Sequence, residues 1–205
     1  MDTIRNIIKF TTPGNQEKWE EYCLPIGNGY LGATFFGGIE RERVVLNEKT
    51  LWTGGPSPSR PDYNGGNRTG AAAFVAEVQQ LLHDGKYDEA LERLPMLTCS
   101  TDVGYGAYQL LCDAIISFSN INPANVTGYS RQLDIDNSIY ECSFDYEGAH
   151  HVRKAFASYP DRVICMNFSS SKQRRICIRI SLDKCHDNSV IKVQNNRLDY
   201  YGALP

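Results

Sequence analysis

Apolar and polar residues alternate with a period of two through most of this chain, and that alternation restricts its fold more than anything else. Over residues 140–147, Tyr140, Cys142, Phe144 and Tyr146 fall on one side and Glu141, Ser143, Asp145 and Glu147 on the other. A pleated strand sends successive side chains to opposite faces, so this pattern fits a half-buried strand rather than a helix. Glu147-Gly148-Ala149 offers a turn, after which Val152, Lys154 and Phe156 alternate with His151, Arg153 and Ala155. Ile176, Ile178, Ile180 and Leu182 form a further stripe opposed by Cys177, Arg179 and Ser181. Residues 163–168 are mostly apolar, a run that fits a more central strand. Asn195-Asn196 separates residues 190–193 from 198–201 as a hairpin turn would. Repeated short strands with polar turns predict a mainly β fold, an antiparallel β-sandwich.

One segment changes period. Phe74, Val75, Val78, Leu81 and Leu82 recur at helical spacing, Gly85 interrupts them, and Tyr87, Ala90, Leu91 and Leu94 resume it until Pro95. This predicts a helical hairpin inserted at 71–95. No second copy follows, which argues against a helical repeat array. The flanks read as loops: residues 56–70 hold three prolines and three glycines among polar residues, and 99–106 form a second loop.

A length of 205 residues allows one well-buried domain. A net charge of −3 gives no basic footprint for nucleic acid, so none is expected as a partner. No apolar run approaches the roughly 20 residues of a membrane helix. Met1-Asp2-Thr3-Ile4-Arg5 lacks the apolar core of a secretory signal. The seven cysteines are odd in number and include no CxxC pair, which predicts free thiols in a reducing cytoplasm. Cys142, Cys165 and Cys177 lie in strand-like segments, where a thiol packs as a small hydrophobe. Outside a secretory route, the three Asn-x-Ser/Thr patterns at Asn67, Asn125 and Asn167 read as chance. His83, His150, His151 and His186 show no metal-binding spacing and read as surface residues, and no metal or cofactor is expected.

Two polar motifs stand out against this background: Leu24-Pro25-Ile26-Gly27-Asn28-Gly29-Tyr30-Leu31-Gly32-Ala33 and Val45-Leu46-Asn47-Glu48-Lys49-Thr50-Leu51-Trp52-Thr53-Gly54-Gly55-Pro56. Glycine weakens strands and is kept where backbone turns sharply or meets something closely. Asn, Glu and Trp are also the side chains that hold a sugar, by hydrogen bonds to hydroxyls and a flat apolar face. A glycine-rich hairpin with Trp52 in the core explains the same residues. The motifs resemble the N-terminal domain of glycoside hydrolase family 95, the alpha-L-fucosidase family with some alpha-galactosidases. There the chain reads W-x-x-A-L-P-I-G-N-G-x-L-G-A, then G-G-x-x-x-E-R-x-x-L-N-E-D-T-L-W-x-G-G-P. Here the resemblance starts at Trp19 and runs through Gly37-Gly38-Ile39-Glu40-Arg41-Glu42-Arg43 to Pro56. It continues at residues 76–82 and 85–90, at Tyr129-Ser130-Arg131-Gln132-Leu133-Asp134-Ile135-Asp136, and at 153–164. The family usually has Asp where this chain has Lys49. Where the family tends to read Y-Q-P-L-G-D, this chain has Tyr108-Gln109-Leu110-Leu111-Cys112-Asp113.

The resemblance implies a supersandwich-like N-terminal domain over 1–205, incomplete at its C-terminus. In the family, further strands and a linker lead into an (α/α)6 helical barrel, the partner module missing here. Family 95 enzymes invert, and their acid and base lie in that barrel, so no catalytic residue is expected in this chain. The parent enzyme would hydrolyse alpha-linked fucosyl or galactosyl residues of an oligosaccharide. Inversion needs two carboxyl groups roughly 6.5–9.5 Å apart. Glu40/Glu42 and Asp134/Asp136 have about the right strand spacing, and they read as solvated faces or turns. Asn47, Glu48 and Trp52 are the expected substrate-binding residues. The alternatives are a stand-alone carbohydrate-binding or structural sandwich, and the N-terminal domain of a maltose-phosphorylase-like enzyme.

Overall fold

The computed structural model describes residues 6–55, 61, 63, 65–98 and 106–204. Of the loops expected at 56–70 and 99–106, residues 56–60, 62, 64 and 99–105 lie outside the described residues. The chain divides into two units, residues 1–51 with 110–203, and residues 52–109 with 204–205.

The first unit is an antiparallel β-sandwich. One five-stranded sheet runs β1 (Ile7–Phe10), β6 (Thr127–Asp134), β7 (Ile139–Tyr146), β8 (Ala149–Ser158) and β9 (Val163–Ser170). The other runs β10 (Ile178–Lys184), β5 (Cys112–Phe118), β4 (Arg41–Glu48), β3 (Leu31–Phe35) and β2 (Leu24–Gly27). A short helix, α1 (Trp19–Tyr22), precedes β2. A two-stranded ribbon, β11 (Ser189–Gln194) and β12 (Arg197–Gly202), follows the second sheet. Its turn places Asn195 and Asn196 at φ 47° and 62°, the left-handed pair that a two-residue hairpin loop requires. Glu147 and Gly148 do the same between β7 and β8.

The core lies between the sheets. Leu24, Ile26, Ala33, Phe35, Val44, Ala114, Ile116 and Phe118 from one sheet meet Leu133, Tyr140, Cys142, Phe144 and Ala155 from the other. β2 and β3 pack across this interior against β6, β7, β8 and β9. Phe35 stacks on Tyr140 with ring centroids 4.4 Å apart, and Phe118 meets Phe168 edge-on at 5.6 Å. The predicted inward stripe of 140–147 is as read, with Tyr140, Cys142 and Phe144 all buried.

Three expectations need correction. The apolar run 163–168 forms β9, which pairs only with β8 and lies at the sheet edge; the strand buried on both faces along most of its length is β5, paired between β10 and β4. A run of apolar residues records how many faces are covered, and at an edge partial cover on both sides produces the same spelling. On β8 it is His151, Arg153 and Ala155 that face the interior, while Phe156 is 47% exposed. His151 is therefore a buried residue stacked on Phe144, not a surface one. Cys177 lies exposed just before β10 rather than packed within a strand.

The second unit contains α2 (Ala72–His83) and α3 (Tyr87–Arg93). Their apolar stripes meet at Val78 and Ala90, both buried, and Arg93 pairs with Glu77 at 3.0 Å. α2 ends in a left-handed reversal: Gly85 has φ 72°, and the Lys86 N–H donates to the Leu81 carbonyl. No helix among the described residues is long and apolar enough to cross a membrane.

Candidate functional site

The glycine-rich turn between β2 and β3 is organised by one side chain. Asn28 is buried, and its Oδ1 accepts from the backbone N–H groups of Tyr30 and Leu31 at 2.9 and 2.7 Å. Its Nδ2 donates to the Ser158 carbonyl at 2.6 Å, tying the turn to the end of β8. Gly29 supplies the left-handed φ of 77° that the reversal needs. The turn presents the Tyr30 ring between two cations, Lys49 Nζ at 4.3 Å from its centroid and Arg162 at 4.5 Å. Lys49 is the position where this chain departs from the motif it resembles, and the ammonium group has taken up an aromatic face.

Asn47 and Glu48 end β4 and so point to opposite faces of the sheet. Asn47 is half-buried opposite Gly32. Glu48 folds back on the following turn: its Oε2 accepts from the Thr50 N–H at 2.9 Å and the Thr50 hydroxyl at 2.6 Å. Its Oε1 is buried without a hydrogen-bond partner among the described residues. Trp52 belongs to the second unit, bridges to Tyr108 and meets its ring edge-on at 5.5 Å. It is 50% exposed, so the reading that placed it in a core does not hold.

Beneath β4 lies a set of buried polar groups that the alternation pattern hid. Glu42, expected on a solvated face, is 3% exposed. Its Oε1 accepts from the N–H groups of Phe36 and Gly37 at 2.8 and 3.1 Å. Burial pushes its carboxyl up to about 7, against the pull of those N–H groups and of the Arg153 charge. Arg153 donates to the Gly38 and Ile39 carbonyls and lies 3.5 Å over the Phe118 ring. Arg131, wholly buried, donates to the Thr12 and Tyr22 carbonyls and covers the Phe10 ring at 4.1 Å. The Tyr129 hydroxyl donates to the Gly37 carbonyl at 2.6 Å, and burial drives its pKa upward. A Cβ at Gly37, which has φ 72°, would come within 2.2 Å of that hydroxyl. These groups bind backbone that would otherwise be unsatisfied. The motif positions Gly37, Gly38, Glu42 and Arg131 are thus structural.

Glu40 lies exposed just before β4, while the other candidate acids are engaged by nearby partners. Asp134 accepts from Asn137, and Asp136 from Asn6. Asp113 pairs with Arg43 at 2.7 Å on the outer face of the second sheet. Among the described residues, no three His, Cys, Asp or Glu side chains gather as a metal site.

The sequence has known counterparts. The family model described as "Glycosyl hydrolase family 65, N-terminal domain" matches residues 8–205. The chain belongs to that family. Among relatives of this family 65 N-terminal domain, "Alpha-L-fucosidase 2" of Arabidopsis thaliana is 31% identical over 199 residues, 96% of this chain and 22% of the relative. "Probable alpha-fucosidase A" of Aspergillus niger is also 31% identical, over 87% of this chain and 23% of its own length. The Aspergillus oryzae protein of the same name is 29% identical over 74% of the chain. The chain thus spans less than a quarter of the relatives it matches. The resemblance drawn from the motifs was to family 95. What the matching model supports is the N-terminal domain of a glycoside hydrolase.

Proposed function

We propose that this chain is the N-terminal sandwich of an alpha-L-fucosidase-type glycoside hydrolase of family 95, and that the sandwich is inactive by itself. The observation that carries the reading is agreement along the chain with two proteins named as alpha-fucosidases, at 31% identity over most of its length. In this reading the acid and base that invert the anomeric centre sit on an (α/α)6 barrel, and the parent enzyme removes alpha-linked fucosyl or galactosyl residues from oligosaccharides in the cytoplasm. The occupied state of Glu42, Asp134 and Asp136 is consistent with that division of labour, because none offers a carboxyl group at an open cleft. Asn47, Glu48 and Trp52 help to frame the substrate, with half-exposed Trp52 supplying an apolar face for a sugar ring.

Two assays test this. The 205-residue chain is expected to hydrolyse neither an aryl alpha-L-fucoside nor an aryl alpha-galactoside, and turnover by a clean preparation overturns the reading. In the whole enzyme that carries this domain, Trp52→Ala is expected to raise KM for the fucoside by up to about tenfold, the scale of one aromatic contact. An unchanged KM and kcat with only a lower Tm removes Trp52 from the substrate site.

A further inference from the structure

The outer face of the second sheet carries an arrangement that the proposed function leaves unused. Arg41 of β4, Ser117 of β5 and Arg179 of β10 stand in one cross-strand row, Arg41 opposite Ser117 and Ser117 opposite Arg179. Directly opposed residues share a face, and with Ile116 and Phe118 committed to the core, this row points outward. Strands lie about 4.8 Å apart, so the two arginine backbones are about 10 Å apart, with a hydroxyl midway between them. Both side chains are long enough to converge above that hydroxyl.

The row lines one wall of an open cleft of about 490 Å³, bounded by Glu40, Arg41, Ser117, Phe118, Ser119 and Arg179. Its walls are fixed by backbone: the Phe118 N–H donates to the Glu40 carbonyl at 2.8 Å, and the Ser119 N–H to the Cys177 carbonyl at 3.3 Å. Arg41 makes a loose contact with Asp183 at 3.7 Å, both side chains more than half exposed, an interaction worth little in water. Arg179 has no ion-pair partner among the described residues. Exposed guanidinium forks on the two strands that flank β5 match the paired oxygens of an oxyanion. Glu40 at the rim and Asp183 beyond it repel any anion, so binding here has to rest on directed hydrogen bonds rather than on net charge. An anion that reaches both forks and the Ser117 hydroxyl gains three sets of hydrogen bonds.

We infer that the Arg41–Ser117–Arg179 row is a binding site for an oxyanion group: a sulfate, a phosphate or a carboxylate. This inference does not depend on the fucosidase reading, since it uses the sandwich alone.

The test is a titration of the ¹⁵N-labelled chain with sodium sulfate at ionic strength held constant by sodium chloride. The expected result is saturable shifts of the Ser117 amide and the Arg41 and Arg179 Nε–H signals. Arg179→Gln and Arg41→Gln should each weaken binding by about tenfold or more, the scale of a lost charged hydrogen-bond set. Arg179→Lys keeps the charge without the fork and is expected to restore only part of the affinity. Parallel titrations with glucose 6-sulfate, glucuronate and N-acetylaspartate distinguish a sugar-borne from a peptide-borne group, and saturation in any of them supports the site. Linear, non-saturating drift with every probe, identical shifts in chloride alone, or an Arg179→Gln variant that binds as tightly as the parent, each overturns it. Both arginines are exposed, so unchanged amide dispersion in the variants shows that the fold is kept.

Discussion

β8 and β10 carry stripes of opposite chemistry, and their burial runs against that chemistry. β8 turns His151, Arg153 and Ala155 into the interior, where they are 4%, 5% and 1% exposed. β10 aligns Ile178, Ile180 and Leu182 with the core-facing Phe118, Ile116 and Ala114 of β5, yet leaves the two isoleucines 39% and 46% exposed. β8 has a strand on each side and a sheet opposite it, while β10 is paired only with β5. Alternation names the face a residue takes; cover decides whether that face is dry. A guanidinium can occupy the covered face because Gly38, Ile39 and two aromatic rings receive it.

The contrast is broken most sharply at Arg153. Arg153→Met strands the Gly38 and Ile39 carbonyls and leaves Glu42 without its nearby cation. A loss of about 3–5 kcal/mol in urea unfolding is expected. A loss under about 1 kcal/mol would mean that the buried guanidinium contributes little, and that the interior face of β8 is held by its other contacts.

Glu42 gives the next largest effect and fixes its sign. Its folded carboxyl titrates near 7 against an ordinary value of 4.5, so between those values the folded chain holds a proton that the unfolded chain has released. The contribution of Glu42 to stability is therefore greatest below about 4.5, falls as pH rises toward about 7, and is flat beyond. The full span is roughly 3 kcal/mol at about 1.4 kcal/mol per pH unit. Glu42→Gln removes this slope, and denaturation curves at pH 5 and pH 8 check it. Equal slopes in the variant and the parent would place the proton elsewhere.

The smallest effect belongs to the exposed stripe. Ile180→Lys is expected to change stability by under about 0.5 kcal/mol while reducing self-association at an uncovered apolar edge. Light scattering across a concentration series reads this directly, and unchanged association would show that the edge is not adhesive.

Much of the fold was legible because its evidence is local. Tyr140, Cys142 and Phe144 announce a face by spacing alone, Asn195-Asn196 announces a hairpin, and Val78 and Ala90 fall on the stripes that join the two helices. What escaped was decided by residues far apart in sequence. The run 163–168 resembles a central strand until its neighbours are known, and Glu42 looks solvent-facing until Phe36, Gly37 and Arg153 close around it. The candidate site was legible as a motif and not as geometry. Asn28, the side chain that builds the glycine turn, reaches its partner Ser158 over 130 residues of intervening chain. No spacing rule along the sequence links the two.

Gly37 has a further consequence for how such a domain can vary. Its missing side chain is the space in which the Tyr129 phenol reaches the backbone, and the adjoining Gly38 presses against the Arg41 carbonyl just as tightly. Even alanine at either place would evict a neighbour, so the doublet is forbidden ground for substitution whether or not any sugar ever passes nearby. An invariant pair of glycines at these positions would testify to carpentry inside the wall, and a hunt for ligand contacts guided by such invariance would begin on the wrong side of it.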